Sequence, residues 1–407
     1  MEKKSDASMT PNEFIHALMD AAIAERASDI HIEPLSREIR IRFRIDGRLL
    51  EKETRPFHEL EPVLNRIKVM ANLDITTHNI PQDGHLEVEI PDIKLGQHDD
   101  PNFDTHDQRK RILDVRISIF PTVNGETAVM RLLNRAEMLI PLHELGFDPK
   151  SMQTMRKLIT KSYGMLLITG PAGSGKTTTL YSILREIRSK EKNIMTLEDP
   201  VEYYLDDIRQ SNVNPAGQGL TFESGMRSVL RQDPDIVMIG EIRDKDTAEY
   251  AIRAALTGRI MFSTVHSNTA IGTVARLIDM QIERSLIAYA LNGVVAQRLV
   301  GKVCDSCKKE YTPDPALLHF LGMDDVKARF VKGAGCDICH GSGFRGRIGL
   351  FEVLEFDNNI RSLIVEGVPM NKLQEYIDQM GFKTIRQDAT EKIIAGFTTV
   401  EEAVKVA

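Results

Sequence analysis

The sequence predicts an α/β protein in two parts, a smaller mixed α/β domain followed by a larger domain with a parallel sheet. Three observations carry this. A length of 407 residues corresponds to two or three domains at about 150 residues each. Near the N-terminus, stretches of period-two alternation follow a helical stripe. Beyond Asn134 to Pro141 the chain switches to strands alternating with helices, the order that builds parallel α/β domains. The boundaries so placed are 1–136 for the N-terminal domain, 137–145 for a linker and 146–407 for the second domain. With 42% hydrophobic and 27% charged residues, wholesale disorder is excluded and the chain can bury a substantial core. The net charge of −7 argues against strong nonspecific attraction to nucleic acid or anionic lipid. No apolar run approaches the roughly 20 residues that cross a bilayer, and the polar start from Met1 to Asp6 lacks a signal core, so the chain reads as cytoplasmic.

Within the first domain, residues 10–26 place Phe14, Leu18, Ala21 and Ala22 on one helical face, and Ser28 to Glu33 then alternate as a strand. Ile39, Ile41, Phe43 and Ile45 alternate with Arg40, Arg42 and Arg44 before an Asp46-Gly47 turn, so one strand face is buried and the other carries three guanidiniums. Taken alone, such a face is most simply a solvated one. Two more strands, Asp114 to Ile119 and Thr127 to Leu133, carry Arg116 and Arg131. Residues 91–111 are polar and rich in helix and strand breakers, a long surface loop with no assigned chemistry. At the other end, residues 358–407 show helical spacing interrupted by Gly381 and Gly396, a small helical subdomain.

The strongest signal lies in the second domain. Met165 to Thr169 form a short apolar run suited to a buried parallel strand, and Gly170, Pro171, Ala172, Gly173, Ser174, Gly175, Lys176 and Thr177 follow at once, with Thr178 behind them. The pattern is GxxxxGK[ST]. Phosphate binding needs backbone N–H groups turned inward from a loop without obstructing side chains, hence the glycines; the lysine reaches the β/γ phosphates of ATP and the Thr177 hydroxyl suits Mg²⁺. Leu180, Ile183, Leu184 and Ile187 then repeat as a sheet-packing helix does.

Three later strands end in useful groups: Ile194 to Leu197 before Glu198 and Asp199, Asp235 to Ile239 before Glu241, and Met261 to Val265 before His266. Ligands of open parallel sheets bind beyond the carboxyl ends of the strands, so these groups can converge on a nucleotide. Acidic groups there can hold Mg²⁺ and orient a water. Singly, each acid is as readily a helix cap or surface charge, and His266 a plain hydrogen-bonded residue.

The four cysteines, Cys304, Cys307, Cys336 and Cys339, form two CxxC pairs. Two such knuckles can present four thiolates tetrahedrally to Zn²⁺, with no open position for catalysis. A redox CxxC would occur singly, and iron–sulfur ligation usually has other spacings. This four-cysteine zinc subdomain is placed at 300–345, with Lys308 to Gly335 read as a polar loop.

Longer motifs then carry a resemblance. Thr196-Leu-Glu-Asp-Pro-Val-Glu-Tyr203, Gly219-Leu-Thr-Phe222, Arg227 to Asp235, Gly240-Glu-Ile-Arg-Asp244 and Ser263-Thr-Val-His266, with Ala27-Ser-Asp-Ile-His31, Arg44-Ile-Asp-Gly47 and Pro81-Gln-Asp-Gly84 upstream, closely resemble the GspE/PilB family of type II secretion and type IV pilus assembly ATPases. The resemblance implies a PAS-like N-terminal domain, a RecA-like P-loop ATPase domain, and a homohexameric motor that works on an inner-membrane platform protein from the cytoplasmic face. Carried over by position, it implies Lys176 and Thr177 as Walker A residues, Glu198 as the water-activating base, Glu241 as the end of Walker B, and His266 in a histidine box. It further implies that Arg116 and Arg131 are brought toward the phosphates. Arg259 stands where members often have a histidine, so that position is left unassigned. A cysteine finger favours the assembly branch over retraction. The alternatives are a related DNA-uptake pseudopilus ATPase and a nucleic-acid motor. The latter would want a basic channel with stacking aromatics, whereas this chain is acidic and has no Trp, so no nucleic-acid partner is expected.

Overall fold

The computed structural model describes residues 9–89, 112–133, 140–202, 204–214 and 219–406, and the chain divides into two compact units, Met1–Glu137 and Met138–Ala407. The polar stretch 91–111 lies outside the described residues, as do residues 137–139 of the expected linker.

The first unit opens with α1 (Pro11–Ala24), whose first turn is closed by a capping box between Thr10 and Glu13. There follow β1 (Ala27–Pro34), β2 (Glu38–Ile45), β3 (Arg48–Pro56), α2 (Leu60–Met70), β4 (Gln82–Glu89), β5 (Ile112–Thr122) and β6 (Gly125–Leu133). The strands form one antiparallel sheet in the order β3-β2-β1-β6-β5-β4. Phe14, Ile15, Leu18, Met19, Ala22 and Ile23 of α1 share a core with Val63, Leu64 and Ile67 of α2 and with the inward residues of the strands. Ala21, expected on the buried stripe, is exposed: the i, i+4, i+8 ladder through Ile15, Met19 and Ile23 turns the helix so that residue 21 faces out.

The β2–β3 turn has positive φ at both Asp46 and Gly47, as a two-residue hairpin requires. The arginine face of β2 is paired rather than simply solvated, because register places Glu33 and Asp29 of β1 opposite Arg40 and Arg44, with Glu33 diagonal to Arg42. Arg40 and Arg42 both reach Glu33, at 3.1 and 2.5 Å, and Arg44 lies 3.5 Å from Asp29. On α2, Lys68 is wholly buried and donates to both carboxylate oxygens of Glu126 at 2.8 Å and to the Thr77 carbonyl at 2.9 Å, a pairing that a buried ammonium needs.

The second unit contains, in order, α3 (Pro149–Ile159), β7 (Gly164–Thr169), α4 (Lys176–Ile187), β8 (Ile194–Glu198), β9 (Ile208–Asn212), α5 (Phe222–Val229), β10 (Ile236–Ile239), α6 (Lys245–Leu256), β11 (Ile260–Val265), α7 (Ala270–Asp279), α8 (Arg284–Ala290) and β12 (Leu291–Val303). After β12 come β13 (Lys308–Glu310), α9 (Pro315–Leu321), β14 (Val331–Gly333) and β15 (Phe344–Glu355), then α10 (Asn358–Glu366), α11 (Met370–Gln379), α12 (Ile385–Ile394) and α13 (Val400–Val404). The main sheet has the order β15-β12-β7-β11-β10-β8-β9. It is parallel except at its edge, where β15 runs antiparallel to β12. This edge departs from the expected parallel sheet: the chain leaves the end of β12, builds the cysteine unit and returns beside the same strand, which needs no crossover helix.

Every residue of β7, β8, β10 and β11 is buried, as expected where helices cover both faces. Along β7, Met165 and Leu167 join the core under α5 to α8, while Leu166 and Ile168 join the core under α3 and α4. The 308–335 segment is more structured than the polar loop the sequence suggests. It carries α9 and a two-stranded ribbon of β13 and β14, and Leu321 and Met323 pack into one cluster with Val400 and Ala403 of α13.

Candidate functional site

The phosphate loop joins β7 to α4 at the carboxyl edge of the sheet. Two of its glycines, Gly170 and Gly175, sit where nothing larger fits. A Cβ on Gly170 would lie 2.4 Å from the Gln297 carbonyl oxygen and 2.6 Å from Ser174 Oγ, and one on Gly175 2.8 Å from Gln297 Nε2. Gly175 also has φ near +87°, a conformation open to glycine at little cost. It precedes α4 without a side-chain cap, so the first N–H groups of that helix are available to an anion. Ser174 is buried and its Oγ lacks a hydrogen-bond partner among the described residues. Pro171, Ala172 and Gly173 form the exposed tip, and Gly175 to Thr178 are half-buried. A bare cradle, an open helix start and an unpaired hydroxyl together fit a bound phosphate chain.

Lys176 Nζ donates to the carbonyls of Gly170 and Pro171 at 2.9 and 3.0 Å. Burial lowers its pKa, opposed by the attraction of Glu241. The loop is braced from beneath: Thr179 Oγ1 donates to the buried Gln297 Oε1 at 2.7 Å, and Thr169 Oγ1 accepts from the Ser267 N–H at 2.9 Å, tying β7 to the loop after β11. A cleft of about 580 Å³ opens beside Pro171, with Arg298 and the buried Glu352 in its wall.

The strand ends converge in part. Glu241 bonds Arg243, which lies 3.6 Å from Asp199, and His266 Nε2 is 3.4 Å from Glu241. These four groups form one chain of contacts beyond the ends of β8, β10 and β11. Glu198 stands apart from it. At 3% exposed, it accepts from Tyr181, from Thr196 Oγ1 at 2.5 Å and from Gln210 Nε2 at 3.1 Å. Burial raises its pKa, and these three donors oppose the rise without cancelling it. Arg116 and Arg131 belong to the first unit, where they are cross-strand neighbours on β5 and β6. Arg131 Nε donates to the buried Asp29 at 3.0 Å.

The cysteines meet as a cluster. Sγ separations are 3.9 Å for Cys304 and Cys336, 3.8 Å for Cys307 and Cys339, and 3.7 Å for Cys336 and Cys339. A tetrahedron with Zn–S bonds of about 2.3 Å has edges of about 3.8 Å, so the donor set fits zinc. None of the four is in a disulfide. The N–H groups of Cys336 and Gly343 point at Cys339 Sγ, at 3.2 and 3.3 Å, the hydrogen bonds that steady a thiolate ligand.

Sequence reasoning missed Tyr181, Gln297, Thr169 and Asp29. Asp29 lay within the quoted Ala27-Ser-Asp-Ile-His31 motif without an assigned role; Tyr181, Gln297 and Thr169 belong to no phosphate or metal motif, and their signal was a polar group within an otherwise apolar segment.

A glycine-lined lysine loop at the carboxyl edge of a mostly parallel sheet, with acids at the ends of two further parallel strands, β8 and β10, defines a P-loop nucleoside triphosphatase. Comparison with known proteins narrows the class. The "Type II/IV secretion system protein" family matches residues 2–405. Type II secretion system protein E of Pseudomonas aeruginosa is 42% identical over 408 aligned residues, covering 100% of this chain and 77% of that protein. The type IV pilus assembly ATPase PilB of Thermus thermophilus is 42% identical over 96% of this chain and 42% of its own length. Among solved structures, the Legionella pneumophila ATPase DotB superposes with a TM-score of 0.69 at 21% identity, covering 99% of this chain and 97% of that one. The pilus retraction motor PilT superposes at 0.62 and 24% identity, covering 97% and 96%. The fold is therefore that of the RecA-like secretion ATPases, and the chain belongs to the type II/IV secretion system protein family.

Proposed function

We propose that this chain is the ATP-hydrolysing motor of a type II secretion or type IV pilus assembly machine, working as a homohexamer on a membrane platform protein at the cytoplasmic face. The observation that carries the ATPase reading is the loop from Gly170 to Thr177, with its bare glycine cradle, half-buried Lys176 and open α4 start. The machine is inferred from relatives over 40% identical along nearly the whole chain, named as secretion and pilus assembly proteins. No helix among the described residues is long and apolar enough to cross a membrane, so attachment would run through partners.

In this reading the α4 N–H groups and Lys176 hold the triphosphate, and Ser174 Oγ gains the partner it lacks. Thr177 would hold Mg²⁺, which supplies charge neutralisation on the phosphates when bound. Glu198 takes a proton from the attacking water, while the Glu241, Arg243 and His266 chain fixes charge beside Lys176. Arg116 and Arg131 supply positive charge from the first unit, with Asp29 holding the Arg131 guanidinium. The four cysteines would hold one Zn²⁺ as a structural clamp.

The test is ATP binding and hydrolysis by Lys176→Ala. Loss of both is expected, and wild-type turnover would exclude this loop as the site.

A further inference from the structure

We infer that Tyr181 is a positioning residue for hydrolysis, orienting the Glu198 carboxylate from the helix that carries the phosphate-loop lysine. The inference rests on the reading of Glu198 as the water-activating base. Tyr181 lies on the second turn of α4 and is only 2% exposed. Its hydroxyl donates to Glu198 Oε2 and accepts from the Glu202 N–H at 3.2 Å. A phenol has one proton, and an N–H aimed at its oxygen directs that proton to the carboxylate. The arrangement therefore links three elements: Lys176 and Tyr181 on one helix, Glu198 at the end of β8, and the backbone just after it. Any shift of α4 as the loop takes up phosphate acts directly on the base.

The surroundings make this bond matter. Tyr181 faces Glu198 from α4, Thr196 from its own strand and Gln210 from β9; of these only the tyrosine titrates. The charged groups beyond the ends of β8 and β10, Asp199, Glu241 and Arg243, are engaged with one another. No cation bonds Glu198 among the described residues. Its ionised form is sustained against burial by three neutral donors, so losing one leaves the base less ionised at a given pH.

The experiment is the pH dependence of kcat and KM for ATP in the full chain, for wild type, Tyr181→Phe, Thr196→Val and Glu198→Gln. Tyr181→Phe removes one oxygen and keeps the ring, so the core should stay packed, as a melting curve would verify. The acid limb of kcat should move up by about one pH unit, and kcat at neutral pH should fall about tenfold with KM within about twofold of wild type. Thr196→Val withdraws a second donor and should move the limb in the same direction. A wild-type limb in Tyr181→Phe beside a slow Glu198→Gln overturns the positioning role alone. Parallel loss of kcat and stability with no movement of the limb does the same, since it marks a merely structural tyrosine. A fast Glu198→Gln overturns the base reading, and the positioning role with it.

Discussion

The phosphate loop and the cysteine cluster are both announced by short motifs, yet they rest on different foundations. The loop hangs from β7, a strand buried along its whole length between two apolar cores, and its shape is set by backbone against backbone at Gly170 and Gln297. The cysteines flank a ribbon whose strands span Lys308–Glu310 and Val331–Gly333, and every residue of the former is exposed. A two-stranded ribbon is marginal by itself in water. Ile338, between the second pair of cysteines, is 50% exposed. One site is organised by apolar burial before any ligand arrives; the other depends on bonds to its metal.

That contrast fails or sharpens most clearly on metal removal. Metal binding to zinc-finger peptides is worth roughly 10 to 16 kcal/mol, and that energy is also folding energy. Cys304→Ser, or stripping with a chelator, should abolish stoichiometric zinc by elemental analysis and raise amide exchange across residues 304–343, while β7 and β11 keep their protection. Equal loosening of both regions would mean that the cores do not act independently of the clamp.

Next in size is the chemistry on the preorganised side. Glu198→Gln keeps the volume and planar shape of the buried side chain but removes its charge and turns one acceptor oxygen into a donor, so ATP affinity should stay within about threefold while turnover falls at least about a hundredfold. Single-turnover hydrolysis and nucleotide titration separate the two. Near-normal turnover would transfer the role of base to Glu241.

Smaller, and aimed at the loop geometry itself, is Gly170→Ala. Its Cβ would meet the Gln297 carbonyl at 2.4 Å, whereas at Gly173 the same atom meets nothing within 4 Å. The first should cost about 2 kcal/mol and weaken ATP binding. Gly173→Ala should cost about 1 kcal/mol, from its positive φ alone. Equal effects in denaturant titrations would show that the loop is not gripped from beneath.

The smallest effect probes the polar seam of the core-built unit. Lys383 bonds Asp148, the N-cap of α3, at 3.0 Å and Asp388 at 2.8 Å. Burial would raise the Asp148 pKa, but hydrogen bonds from Ser151 and the Lys383 ammonium outweigh it and bring it down to about 2. A depressed carboxyl contributes stability that is present above its unfolded pKa of about 4 and lost as pH falls toward 2. At this partly open position solvent screening leaves about 1 kcal/mol. Asp148→Ala should therefore lower stability at pH 7 and flatten its acid dependence between about pH 4 and 2, as urea melts would record.

Much of the molecule was legible before any coordinates because its determinants are local. The run from Met165 to Thr169 and the glycines behind it need only their own spacing to specify strand, loop and helix start, and the CxxC pairs need only theirs. The stripe of α1 was legible too, apart from Ala21, whose place is set by the helix phase that Ile15, Met19 and Ile23 impose. What required the fold were groups whose partners lie far along the chain. Gln297 braces Thr179, Asp29 holds Arg131, and Tyr181 and Gln210 enclose Glu198. The antiparallel return of β15 and the packing of α9 on α13 belong to the same class. Period and motif report which face of an element is apolar and which loop is bare. They carry no information about which buried polar atom meets which, because that is settled only when separate elements pack closely enough that each desolvated donor must find an acceptor.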